Sequence, residues 1–152
     1  MKLFYSPFHS FIHKVLVTAH EGDLWKDITF VPCFPFKNRE GEDQGDAYSI
    51  ASLNPLDKVP TLALDDGQVI YGSQAVVECL DNMSQSGRHL YPASGPKRWD
   101  VVTRLALADT IFETTVQLAM EGWQPIEQQR IDFFKWIWPK IIRGCDSLEV
   151  SC

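Results

Sequence analysis

The spacing of apolar residues changes once along this chain, and that change limits what it can fold into. Through residue 83 short strand-like runs alternate with helical repeats, whereas from Lys97 onward every repeat is helical. Residues 3–5 (Leu-Phe-Tyr) form an apolar run stopped by Ser6 and Pro7, a strand and its turn. Phe11, Ile12, Val15, Leu16 and Ala19 then recur at helical spacing up to Gly22, with Ser10 at the N-cap position. Residues 25–31 are β-branched and aromatic and end at Pro32, which predicts a second strand. Strand, helix and strand in this order make a βαβ unit.

Residues 32–46, with prolines, glycines and mixed charges, predict a mobile loop, and residues 47–53 add one helical turn. Residues 61–64 form a strand, Asp65-Asp66-Gly67 a tight hairpin turn, and residues 68–71 the returning strand. Ser73 caps the next helix, so the order β-α-β-α-β-β-α is complete near Met83. These patterns divide the chain into an α/β domain over 1–83, a polar linker over 84–96 and an all-α domain over 97–152. In that last part Gly122 and Pro125 separate two long helices, and Pro139 is expected to kink or split the second. Residues 148–152 carry no capping signal, so the chain is expected to stop inside a helix, with the all-α domain incomplete. Trp123, Trp136 and Trp138 are expected in its core or against helices beyond it.

Bulk properties remove several functions. A net charge of −6 is wrong for a general nucleic-acid binder, and no apolar run approaches the roughly 18–20 residues that span a bilayer. The four cysteines (Cys33, Cys79, Cys145 and Cys152) lack zinc spacing and a CxxC, which fits a reduced cytoplasmic protein without metal. His13 and His20 share a helix but have no carboxylate at metal-ligand spacing. The start of the chain reads as a strand rather than a signal peptide.

Pro60 closes the run Asn54-Pro55-Leu56-Asp57-Lys58-Val59 and opens a strand. A proline cannot donate to a ladder and belongs at a strand's first residue or edge. If the Val59–Pro60 bond is cis, the Val59 N–H and C=O turn outward and can pair with an extended peptide as one more strand would. The plain alternative is a trans proline at a strand entry.

The whole pattern resembles the glutathione S-transferases, and the resemblance runs over nearly the entire chain. Residues 54–62 (Asn-Pro-Leu-Asp-Lys-Val-Pro-Thr-Leu) are similar to that family's signature before its third strand. Residues 65–73 (Asp-Asp-Gly-Gln-Val-Ile-Tyr-Gly-Ser) with Val76-Val77-Glu78 resemble its hairpin and third-helix entry. Leu105-Ala106-Leu107-Ala108-Asp109 resembles helix four of bacterial members, and Tyr5-Ser6-Pro7 with Lys14-Val15 their first strand and helix. The resemblance implies a thioredoxin-like α/β domain with a mixed sheet, followed by an all-α domain of which helices four and five are present. It also implies a homodimer and glutathione as co-substrate.

The family's site residues carry over by position. Glutathione is an anionic tripeptide whose thiol reacts as thiolate, and a hydroxyl at a helix N-terminus lowers a thiol pKa. Bacterial members place Ser-Pro where this chain has His9-Ser10, so the catalytic serine is His9 in strict alignment, with a hydroxyl one residue later. Either Ser10 turns its hydroxyl to the sulfur, or His9 acts on the thiol proton, or Ser10 is only an N-cap and His9 a surface residue. Val59 and Pro60 would hold the cysteinyl backbone, and Ser73 the γ-glutamyl carboxylate at a helix N-terminus. Gly72 stands where members carry an acidic or amide contact to the γ-glutamyl amine, and Gln74 partly replaces it. Lys58 is placed for the glycine carboxylate or is a solvated lysine. Phe8, Phe34 and Asp109 are candidates for the cleft that takes the second substrate.

The function implied is conjugation of glutathione to a small hydrophobic electrophile, as in detoxification. A glutathione-dependent reductase or dehalogenase is the alternative enzyme. Gly72, His9 and the short helical half keep open a non-catalytic binding or assembly module.

Overall fold

The computed structural model describes residues 1–33 and 50–150, which fall into two units, Met1–Tyr91 and Pro92–Cys152. In the first unit β1 (Lys2–Tyr5), α1 (Ile12–Glu21) and β2 (Thr29–Pro32) form the βαβ element. β3 (Thr61–Ala63), β4 (Val69–Tyr71) and α2 (Ser73–Asn82) follow. The strand order is β2-β1-β3-β4, with β1 parallel to β2 and antiparallel to β3, and β3 antiparallel to β4. This mixed sheet is the thioredoxin-like architecture expected from the sequence.

Register explains the core. Leu3 pairs with Phe30 and Leu62, and Leu62 with Ile70, so one face of the sheet gathers apolar side chains. Leu3 and Leu62 are fully buried, as are Val15 and Ala19 of α1 and Val76 and Leu80 of α2. α1 and α2 pack against each other. Each such leucine or valine contributes about 1.5–3 kcal/mol through removal from water. The opposite face is represented by Phe4 and Val31, which pack on a small cluster of Cys33, Ile50 and Val59.

The hairpin turn forms as expected: Leu64 N–H donates to Gln68 at 2.9 Å, and Gly67 takes φ +89. One local expectation is corrected. Residues 25–31 are not one strand, because Trp25–Asp27 is a 3₁₀ turn and only Thr29–Pro32 is extended. Packing overrode the β-propensity of Trp25, whose ring lies 4.6 Å from that of Phe30 while Leu24 is buried beneath the turn. Residues 50–54 close one turn, with Asn54 N–H on Ile50 C=O at 2.8 Å, and residues 34–49 lie outside the described residues. Beyond α2 the buried Asp81 carboxylate accepts the N–H groups of Leu90 and Tyr91, which ties the end of this unit down.

The second unit consists of α3 (Pro96–Gly122), begun by a proline at its first turn, and α4 (Ile131–Glu149). Their shared core is Leu118, Ile137 and Ile141, flanked by Ile111, Phe133 and Phe134. Gly144 permits the close approach of Ile111, because a Cβ there would lie 2.8 Å from Ile111 Cδ1. Glu121, at the end of α3, accepts the N–H of Arg130 at 2.7 Å and its guanidinium at 2.6 Å, closing the corner before α4.

Here too expectations are corrected. α4 runs continuously through Pro139, so the expected split does not occur; the ring is exposed while Ile137 and Ile141 on either side are buried. α4 is described to Glu149, with Val150 N–H on Asp146 C=O, and residues 151–152 lie outside the described residues. Trp123, Trp136 and Trp138 are not core residues of this unit, being 67%, 60% and 57% exposed. No helix among the described residues is long and apolar enough to cross a membrane.

Candidate functional site

The register of the sheet brings four chain segments to one end. Tyr5 pairs with Pro32, Phe4 with Thr61, and Thr61 with Tyr71. The exits of β1, β2 and β4 and the entry of β3 therefore lie side by side. Segments 6–10, 58–60 and 72–74, which hold most of the site residues inferred from sequence, meet there with Cys33. In α/β sheets ligands bind beyond the carboxyl ends of parallel strands, which is this end.

The entry to β3 is the best-defined part. The Val59–Pro60 bond is cis. Val59 turns its side chain into the cluster with Cys33 and Ile50 and is 6% exposed. Among the described residues its N–H and C=O join no hydrogen bond. Buried peptide groups are nearly always paired, so an unspent pair beside a sheet edge is a place for another extended backbone. The Lys58 side chain is exposed at the same place.

The loop after β1 departs from the expectation of an N-cap. His9 N–H donates to Ser6 C=O at 3.2 Å, Ile12 N–H to His9 C=O at 3.2 Å and His13 N–H to Ser10 C=O at 3.3 Å. These short turns delay α1 to Ile12, with Phe11 as its N-cap residue and no side-chain cap. The Ser10 hydroxyl is thus not used in capping. Ser10 Oγ and His9 Nδ1 are both enclosed and, among the described residues, have no hydrogen-bond partner. His9 is accordingly not a surface turn residue.

The charge state of His9 follows from its surroundings. Burial, and secondarily the positive charge of Lys58, holds its pKa below the ordinary imidazole value of 6.5. Its ring rests 5.5 Å from that of Phe11. At pH 7 it is a neutral imidazole with one N–H to give. At the neighbouring strand end burial pushes the Cys33 thiol up, opposed by a backbone hydrogen bond at Tyr5 and assisted by Asp57, which disfavours the thiolate.

After β4 the cap is again one residue off. Gly72, not Ser73, is the N-cap residue of α2, because Val76 N–H donates to Gly72 C=O at 3.0 Å and Ser73 is the first helical residue. Gly72 takes φ +86, a conformation that side chains resist. Gln74 is exposed on the first turn of α2. Phe8 is 86% exposed at the tip of the β1–α1 loop. Phe34 lies outside the described residues, and Asp109 is half-buried in α3 of the other unit. Among the described residues no group of three His, Cys, Asp or Glu side chains could hold a metal ion.

The sequence reading assigned no role to Asn54, which the structure places at the centre of the loop behind Val59. Its signal was the Asn-Pro dipeptide, a turn former whose side chain bonds its own backbone two residues on.

Comparison with known proteins bears on the fold and the family. The family model described as "Glutathione S-transferase, N-terminal domain" matches residues 8–83. A glutathione transferase family member from Pseudomonas fluorescens Pf-5, solved with bound glutathione, superposes with a TM-score of 0.83 at 29% identity. That match covers 98% of this chain and 70% of the other. A glutathione S-transferase from Methylobacillus flagellatus KT with glutathione bound gives 0.82 at 30% identity, over 97% and 67% of the two chains. The uncharacterized GST-like protein YibF of Escherichia coli (strain K12) is 28% identical over 149 residues, which are 98% of this chain and 68% of that protein. A thioredoxin-like sheet followed by a helical region is thus shared with proteins of one kind, and the chain belongs to the glutathione S-transferase family.

Proposed function

We propose that the chain binds glutathione across this end of the sheet and transfers it to a hydrophobic electrophile. The observation that carries the reading is the unspent peptide of Val59, flanked by the buried hydroxyl of Ser10 on one side and the start of α2 on the other. The ends of β1 and β4 are two strand spacings apart, about 10 Å, which is also the reach of an extended tripeptide. In this reading the cysteinyl backbone pairs with Val59, the γ-glutamyl carboxylate meets Ser73 and the first N–H groups of α2, and Lys58 faces the glycine carboxylate. Two relatives of 29% and 30% identity hold glutathione in their structures, which supports the same ligand here.

The sulfur then falls near the β1 exit. Ser10 donates its O–H to the developing thiolate, and neutral His9 donates its ring N–H; both lower the cost of losing the thiol proton. His9 does not keep that proton, because its depressed pKa makes it a weaker base than the thiolate. The proton leaves to solvent, and the thiolate attacks the electrophile, for which the exposed Phe8 ring offers an apolar surface. The reading extends to a cytoplasmic homodimer acting in detoxification, checked by mass measurement in solution.

One observation favours a non-catalytic binding module instead: Gly72 offers no side chain to the γ-glutamyl amine. Calorimetry with S-methylglutathione and turnover of a chromogenic electrophile separate the two. Binding weakened about tenfold by Ser73→Ala, with a rate cut at least about a hundredfold by Ser10→Ala, is the transferase result. Binding without turnover is the module result, and absence of binding removes both.

A further inference from the structure

Asn54 is 2% exposed, and every bond of its side chain serves the segment that enters β3. Its Nδ2 donates to Lys58 C=O at 2.8 Å and to Thr61 Oγ1 at 3.2 Å, which uses both amide protons. Its Oδ1 accepts Leu56 N–H at 3.1 Å. The Thr61 hydroxyl, fully buried, donates to the same Lys58 carbonyl at 2.9 Å. That carbonyl is therefore gripped by two donors from behind. It belongs to the same planar peptide unit as Val59 N–H, and in a trans unit the N–H points opposite to the C=O. Fixing one fixes the other: with the carbonyl drawn inward to Asn54 and Thr61, Val59 N–H is aimed away from the protein. The loop that presents Asn54 is itself closed by Asp57, whose Oδ1 accepts Ile50 N–H at 2.7 Å, and by Leu53 and Asn54 N–H on Ile50 C=O at 2.8 Å each.

We propose that Asn54, assisted by Thr61, is a positioning residue that aims Val59 N–H at the cysteinyl carbonyl of a bound γ-glutamyl tripeptide. The inference rests on the glutathione-binding reading above. An extended ligand paired with Val59 exchanges two backbone hydrogen bonds with it, N–H to C=O in each direction. Asn54 touches neither ligand nor sulfur and contributes only through the peptide plane it orients.

The test compares two ligands by calorimetry: S-methylglutathione, and its analogue with an alkene in place of the cysteinyl–glycine peptide bond, which has no carbonyl. The wild-type chain should bind the analogue about tenfold more weakly, the usual worth of one well-made hydrogen bond. In Asn54→Ala, S-methylglutathione should weaken about tenfold while the analogue changes little, so that the gap between the ligands closes. A merely structural role for Asn54 would weaken both ligands equally, and a preserved tenfold gap in the folded variant overturns the proposal. Equal binding of both ligands by the wild type overturns it as well. Thr61→Val, which keeps shape and removes one of the two donors, should close the gap partway and serves if Asn54→Ala does not fold. If the wild type binds neither ligand, the glutathione-binding reading fails and this inference with it.

Discussion

The two units of this chain use apolar residues in opposite ways. In the first, leucines and valines from a sheet and two helices are enclosed together, and Leu3, Leu62 and Leu80 have no exposed surface. In the second, two helices enclose a short seam at Leu118, Ile137 and Ile141, while Trp99, Met120, Trp123 and Trp138 stay largely exposed. The sequence pattern explains the difference. α4 gathers its apolar residues on one stripe, whereas those of α3 are spread around its axis. A sheet flanked by helices closes around a core, but a helix that is apolar on several sides is not enclosed by one neighbour.

That contrast can be tested by substitution. The largest effect is expected from Leu80→Ala, which should lower stability by about 2–5 kcal/mol in urea unfolding, because a cavity would remain among fully buried neighbours. A similar loss from Ile142→Ala in the helical unit, where the side chain is 44% exposed, would break the comparison. Acid should strike the units in different ranges. The pKa of His9 is lowered, first by burial, so its contribution to stability is present above about 6.5 and lost as pH falls through its folded value. The pKa of Glu121 is lowered, chiefly by its side-chain hydrogen bonds from Arg130, so its contribution persists above the ordinary 4.5 and is lost as pH falls through the folded value. Circular dichroism across an acid titration should therefore show His9→Asn flattening the upper range and Arg130→Leu the lower one. Near-identical titrations of both variants would show that neither group matters. The smallest effect is expected from Trp138→Ala, within about 0.5 kcal/mol of the parent, since the ring is 57% exposed.

How far the sequence could be read depends on how local each signal is. The segment around Val59 and Pro60 was legible because its residues are contiguous and a proline at a strand entry has few uses. The two caps were each misplaced by one residue for a shared reason. Ser10 and Ser73 are good cap formers, but short turns after β1 and the left-handed backbone of Gly72 decide where each helix begins. Neither effect is visible in composition. Trp25 was read as extended because an aromatic favours strands in general, whereas here its contact with Phe30 sets the turn. The enclosure of Ser10 Oγ and His9 Nδ1 has no signal in the local pattern, whereas the two donors on Lys58 C=O, Asn54 and Thr61, lie only four and three residues from it but depend on how the loop turns.

Gly72 also bears on how the site can be altered. Family resemblance places a polar contact at this position, and a Cβ built here would meet no atom within 4 Å, so space does not forbid regaining one. The backbone does: at φ +86 and ψ 120 an L side chain is strained, at a cost of about 1–3 kcal/mol. A substitution to an acidic residue would bring the charge and the strain together. A polar partner for a bound amine is therefore supplied at less cost from elsewhere on the rim than from position 72.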